Sequence, residues 1–330
     1  MGATSGNTGI FLEQVKKLIR AAQGQVVHSV NTLMVRTYFE LGRRIVEQEQ
    51  KGKRQADYGA YLLDSLSKAL TAEFGKGYSK RNLELIRKFY LTYRIAKTPF
   101  SQSLSWSHYL LLIRISTNQE RRYYELETAR NNWSFRELNR QINSSLYERL
   151  CLSRDKQKVL KLAGKGHLIE KPADLVKDPY VLEFLQLPEA SAYTETELEA
   201  ALINKLEQFL LELGNGFTFA GRQVRFTFDE EHFRVDLVFY NRILRCFVLI
   251  DLKIGKLRHQ DLGQMQMYVN YYDRYVKLEE ENSTIGIILC KDKKDTLVEI
   301  TLPEGNSRIF ASKYKLVLPS KNELKKIVQG

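Results

Sequence analysis

The chain has 330 residues, 51 Lys+Arg against 39 Asp+Glu, and a formal net charge of +12. With 43% apolar and 27% charged residues, 6 Pro and 19 Gly, its composition is globular and excludes collagen-like, mucin-like and Pro-rich disordered classes. The three cysteines, Cys151, Cys246 and Cys290, form no CxxC pair, which argues against a zinc ribbon, a redox dithiol or a disulfide framework. No apolar run approaches the roughly 18 residues of a membrane span, and the first residues show no secretory pattern. The expectation is a soluble, cytoplasmic protein of about two domains.

All of the excess positive charge lies in the first half. Residues 1–170 hold 29 Lys+Arg and 15 Asp+Glu, a net of +14, whereas residues 171–330 hold 22 and 24, a net of −2. A basic module joined to a near-neutral one points to a polyanion partner, nucleic acid first. The alternative is a basic protein with no such partner.

Apolar residues spaced by three and four predict helices over 10–22, 26–50 and 58–74. Gly75 and Gly77 then mark a turn, and Ser79 is a candidate N-cap for a helix through Tyr90. Helices over 107–115, 118–131 and 134–150 follow, the last opened by a Ser134/Glu137 capping box. The pair around Gly75–Ser79 has a helix-turn-helix pattern. It places Lys80, Arg81 and Asn82 at the amino end of the second helix, where phosphate and base contacts arise. Trp106 and His108 lie in a polar-aromatic turn suited to stacking or backbone contact. An ordinary αα-hairpin is the alternative.

Between 153 and 194 the pattern weakens around Pro172, Pro179 and Pro188, which reads as a connector with short helices. A helix over 195–213 ends at Gly214. Strands are predicted over 217–228, 232–240 and 244–252, a helix over 259–275, and strands over 284–290 and 314–318. This order describes an α/β core after a helical region, α+β overall.

Asp236 lies in HFRVDLVFY, and Asp251 and Lys253 close CFVLIDLKIG. Carboxylates in such apolar strands are costly unless paired or bound to a cation. Two acids and a lysine at adjacent strand ends form either a site for a hard cation such as Mg²⁺ or a structural ion pair. On a helical projection of 195–213, Glu199 falls inside the apolar arc, whereas Glu197, Glu207 and Glu212 fall outside it. Glu199 is thus a third acid aimed at the core. Gln264 and Tyr268, four apart on the next helix, share one face. There Gln264 either holds a water or phosphate oxygen or is a surface amide.

The ordered set of helix Glu199, strand Asp236, Asp251-Leu252-Lys253 and Gln264-x-x-x-Tyr268 resembles the PD-(D/E)XK nuclease superfamily. Longer blocks, among them YGAYLLDSLSKALTAEFGKGYSKRNLELIRKFY, FLLELGNGFTFAGRQVRF and FRVDLVFYNRILRCFVLIDLKIGKL, resemble the YhcG-type family within it. Val235 stands where the superfamily name has Pro, and Asp251 where related sequences often have Glu. The resemblance implies a restriction-endonuclease-like core and metal-dependent phosphodiester hydrolysis. It implies Mg²⁺ or Mn²⁺ held by Asp236, Asp251, Glu199 and the Leu252 carbonyl, with Lys253 and Gln264 as further catalytic groups. Lys80, Arg81, Asn82, Trp106, His108 and Tyr268 would contact the nucleic acid.

The implied organisation is a basic, helix-turn-helix-like nucleic-acid-binding domain over 1–155, a connector over 156–192 and a nuclease-like domain over 193–330. Duplex DNA is the expected partner, no membrane is involved, and a homo-oligomer stays open. The alternative function is a non-catalytic DNA-binding or assembly protein that retains the nuclease fold.

Overall fold

A computed structural model of the chain describes residues 16, 29–50, 58–94, 104–152, 162, 164–187, 193–228 and 230–318. The helix expected over 10–22 lies outside these residues except at Lys16. The chain divides into two compact units, Met1–Asn139 and Arg140–Gly330.

Among its described residues the first unit is all-helical. Residues 29–50 form α1, followed by α2 (Tyr58–Phe74), α3 (Lys80–Tyr93), α4 (Trp106–Leu112) and α5 (Asn118–Asn131). Ile45, Leu63, Leu83 and Ile86 make a core shared by α1, α2 and α3. Gly42 lets α1 approach α3 closely, because a Cβ there would meet the Ile86 carbonyl oxygen at 2.6 Å. The α2–α3 turn is a short 3₁₀ segment, Lys76–Tyr78, entered through Gly75 at φ 88, a conformation that favours glycine. Ser79 stands at the N-cap of α3 with extended backbone, but its side chain makes no capping bond. Instead Asn82 Nδ2 donates to the Gly77 carbonyl at 3.0 Å, tying the turn to the helix.

The helix predicted over 134–150 is two helices, α6 (Phe135–Asn143), which crosses the division between the units, and α7 (Leu146–Leu152). They break at Ser145, whose φ is 53. The capping box at the start of α6 forms as expected: Ser134 N donates to Glu137 Oε2, and Glu137 N donates to Ser134 Oγ.

The second unit is built on a six-stranded mixed sheet. Its strands are β1 (Tyr180–Val181), β2 (Phe217–Phe228), β3 (Glu231–Asn241), β4 (Cys246–Lys256), β5 (Ile285–Asp292) and β6 (Ile309–Lys315), in the order β1-β6-β5-β4-β3-β2. β2, β3 and β4 pair antiparallel, whereas β4–β5, β5–β6 and β6–β1 are parallel. β1 lies in the stretch read as a connector. Two residues are too few for a visible strand period, and its parallel pairing with β6 is a tertiary event.

Helices α8 (Glu195–Asn204) and α9 (Leu206–Leu213) place Leu198, Leu202, Phe209 and Leu213 against Leu237, Phe239, Val248 and Ile250. Helix α10 (His259–Tyr275) places Leu262, Met265 and Val269 against Val238, Leu249 and Ile288. Both faces of the central strands are therefore covered, which explains their near-continuous apolar runs. At Gly286 a Cβ would meet Met265 Sδ at 2.5 Å, so glycine allows α10 to lie close on β5. The expected single helix over 195–213 is interrupted at Lys205, whose N–H reaches the carbonyls of both Ala201 and Leu202. Helix α11 (Asp295–Thr301) connects β5 to β6. No described helix is long and apolar enough to cross a membrane.

Candidate active site

The β3–β4 ladder runs from Asn241↔Cys246 to Leu237↔Ile250 and then stops. β3 stays with β2 as far as Glu231, while β4 stays with β5 as far as Lys256. The two strands therefore diverge, and Asp236 and Asp251 are the first residues beyond the last pair. A backbone N–H freed at such a fork needs a new acceptor. Asp236 Oδ2 supplies it, accepting from Leu252 N at 2.8 Å. The local fold thus fixes one carboxylate against the backbone that bears the other. Leu252, expected to offer its carbonyl, engages the site through this N–H.

Asp251 is 3% exposed. Its carboxyl is pushed well above the usual range by burial and then by the Asp236 charge, which outweigh the pull of Lys253. Lys253 Nζ forms an ion pair with Asp251 Oδ2 at 2.8 Å, and that oxygen is buried. Burial alone would lower the Lys253 ammonium; the Asp251, Glu195 and Asp236 charges instead hold it above its ordinary value. The site therefore keeps a proton on lysine while holding two acids together.

Glu199 points inward, as its helical phase predicts, and is 4% exposed. It does not meet Asp236 directly. Gln223 Nε2 lies between them, donating to Glu199 Oε2 and to Asp236 Oδ1 at 3.1 Å. Glu199 Oε1 is buried with no hydrogen bond, and the Arg222 guanidinium stands 3.5 Å away. Burial raises the Glu199 carboxyl, opposed by the Gln223 bond. Sequence reasoning missed Gln223. It sits beside the register shift between Phe219 and Gly221 and has φ 48, which few non-glycine residues adopt. Its only signal in the sequence was its place in the AGRQ turn of an otherwise alternating strand.

Gln264 Nε2 donates to the Tyr268 hydroxyl. Tyr268 is 1% exposed, and its hydroxyl is pushed up to about 12 by burial and the nearby Asp251 charge. Tyr268 thus belongs to the wall of the acidic site and cannot serve as an open stacking surface.

Two of the residues expected to touch nucleic acid are also committed to packing. Trp106 rests on Tyr38 and Phe89, with ring centroids 4.8 and 5.3 Å away. His108 Nδ1 accepts from Ser105 N at 3.1 Å, and Nε2 contacts the Trp133 carbonyl at 3.0 Å, so both ring nitrogens are used inside. Lys80 and Arg81 remain on the surface, with Lys80 Nζ 3.9 Å from Asp64.

The donor set suits a hard cation: Asp251 Oδ2 and Glu199 Oε1 are buried oxygens met by the Lys253 and Arg222 cations, and two acids share the fork. The fit is that of a two-carboxylate site. Among the described residues, no three His, Cys, Asp or Glu side chains come close enough together to hold a metal ion.

Comparison with known proteins matches two family models in succession along the chain. Residues 173–329 match the family model described as the YhcG PDDEXK nuclease domain, and residues 14–149 match the model described as the DUF1016 N-terminal domain. A protein of Escherichia coli (strain K12) named "Putative nuclease YhcG" is 39% identical over 354 residues, covering 98% of this chain and 94% of that protein. Among solved structures, a repair endonuclease from Pyrococcus abyssi aligns at 20% identity and a TM-score of 0.26, over 39% of this chain and 50% of that one. An EndoMS–dsDNA complex aligns at 20% identity and 0.27, over 40% and 49%. The present chain thus spans about half the length of these two structures.

Proposed function

The chain belongs to the YhcG family of PDDEXK nucleases, and from that premise we propose that it is a metal-dependent nuclease that hydrolyses DNA, cutting within the strand. The observation that carries the reading is the strand fork. It sets Asp236 and Asp251 side by side with the Lys253 ammonium 2.8 Å from the buried carboxylate. Asp236 and Asp251 would hold Mg²⁺ or Mn²⁺, with Glu199 acting from the far side of Gln223 and Leu252 contributing main chain. A bound divalent ion supplies Lewis-acid polarisation of the phosphoryl oxygen and lowers the pKa of water.

The chain's own groups do the rest. Lys253 orients the attacking water and offsets the charge that grows on the phosphoryl oxygens as the bond breaks. Its raised pKa keeps that positive charge present at neutral pH. Gln264, steadied by the Tyr268 hydroxyl, helps place the water or the phosphate. The basic helical region, through Lys80, Arg81 and Asn82 at the start of α3, holds the duplex backbone. The proposed organisation keeps residues 1–155 as this binding part and residues 193–330 as the nuclease part.

The test is purified full-length protein incubated with supercoiled plasmid and Mg²⁺ or Mn²⁺, beside EDTA and an Asp236→Asn variant. Nicking that requires both the ion and Asp236 is expected. Plasmid left intact with either ion, while still bound by the protein, would establish a non-catalytic DNA-binding protein instead.

A further inference from the structure

Beside the catalytic fork, α10 and the far end of β2 line an open cavity of about 290 Å³. Its floor is aromatic: Phe226 stacks on Tyr271 with centroids 4.0 Å apart and planes 20° from parallel. Phe228 and Tyr275, 53% and 63% exposed, stand at its rim. Gln266, Asn270 and Arg274 form its polar wall. Among the described residues these three side chains make no hydrogen bond or ion pair, and each faces the cavity with donors or acceptors unused.

The cavity adjoins the acidic site. Phe226 meets Tyr268 edge-on at 5.5 Å, and the Tyr268 hydroxyl is bonded to Gln264. A strand whose phosphate sat at the fork would therefore carry a neighbouring nucleotide past this opening.

We propose that this cavity binds an unpaired nucleobase of the nucleic-acid strand being processed. A base is flat, stacks on aromatic faces, and carries edge donors and acceptors that amides and a guanidinium match. The volume lies at the lower end of small-molecule pockets, room for a ring system and too little for a peptide helix. An apolar protein partner would bury the two amides and Arg274 without hydrogen bonds, which is costly. The proposal rests on the nuclease reading and extends it: the enzyme engages strands in which a base is out of the stack, at a single-stranded region or a distorted duplex.

The experiment measures binding by the full chain in EDTA, so that no cleavage intrudes. Two fluorescein-labelled single strands of equal length and charge are compared, one with all its bases and one with a central run of abasic sites. The base-bearing strand is expected to bind about 5- to 150-fold more tightly, the range for stacking one base. Gly263→Leu is the informative variant, because Gly263 lines the cavity in ordinary helical conformation and a Cβ there meets nothing within 4 Å. Leucine should fill the space without strain, bring the ratio of the two affinities close to one and leave abasic-strand binding unchanged. Tyr275→Ala removes an exposed rim ring without opening the core and should lower the ratio as well. A wild-type ratio near one, or an unchanged ratio in both variants, overturns the proposal. The nuclease reading fails separately: absence of ion-dependent nicking would refute it while leaving the affinity ratio measurable, and nicking with a flat ratio would refute only the base site.

Discussion

Glu212→Gln should be among the most destabilising isosteric changes in the second unit. Glu212 is fully buried on α9, and Arg149 Nη1 donates to its Oε1 at 2.6 Å from an equally buried position. Arg140 approaches the other oxygen at 3.3 Å, Val181 N donates at 3.0 Å, and the Lys177 ammonium reaches the Glu212 carbonyl. One carboxylate thus ties α6, α7, β1 and α9 together. Burial would raise this carboxyl, but Arg149, Lys177 and Arg140 outweigh it and hold it down at about 2. Glutamine keeps the shape and leaves Arg149 buried without its counter-charge, a loss of about 3–5 kcal/mol. For a unit of this size each kcal/mol is worth about 2–4 °C, so the melting temperature should fall by about 6–20 °C at pH 7. A carboxyl whose folded pKa is lowered stabilises above its unfolded value and loses that contribution in acid. The gap between parent and variant should therefore narrow as pH drops below about 4.5 toward 2. Calorimetric melts at pH 7 and pH 4 measure both effects. Replacing both partners, Glu212→Leu with Arg149→Met, should recover most of the loss. A Glu212→Gln melt within about 2 °C of the parent at pH 7 would refute the claim that this ion pair holds the unit together.

Asp251→Asn should abolish nicking yet raise stability by about 1–3 kcal/mol at pH 8 in EDTA, because it removes a carboxyl whose pKa folding raises. Urea midpoints should converge as pH falls and the parent Asp251 takes up its proton; a less stable variant at pH 8 would contradict the pKa direction. Lys253→Met should remove nicking with little change in duplex affinity, read by electrophoretic shift. Arg81→Ala should flatten the slope of log K against log salt by about 0.9 if it contacts one phosphate of B-DNA. His108→Ala should instead leave that slope alone and cost about 1–2 kcal/mol in urea, since both its ring nitrogens are bonded inside the first unit.

The local code was legible wherever it depended on neighbours in sequence. The Ser134/Glu137 capping box, the Gly75 turn and the inward phase of Glu199 follow from helix geometry and glycine's access to positive φ, and all three are present. So did the central strands, because burial on both faces writes itself as a continuous apolar run. The expected all-helical region followed by an α/β core needed nothing more. Tertiary structure decided what depends on distant partners. Glu212 fell on the outer side of the projected 195–213 helix, but Val181 of β1 covers that side, and Arg149 and Arg140 arrive to neutralise it. Trp106 and His108 had the right chemistry for a nucleic-acid face, and the fold gives them internal partners as well, Tyr38 for Trp106 and the Trp133 carbonyl for His108. Gln223 could not be singled out, because only the β2–β3 register sets it opposite Asp236, and only the packed helix α8 brings Glu199 to the same amide. A sequence fixes periodicity, capping and charge, each a property of residues a few positions apart. Which buried charge meets a partner, and which acid meets an amide, depends on contacts tens of residues apart that only the folded sheet brings together.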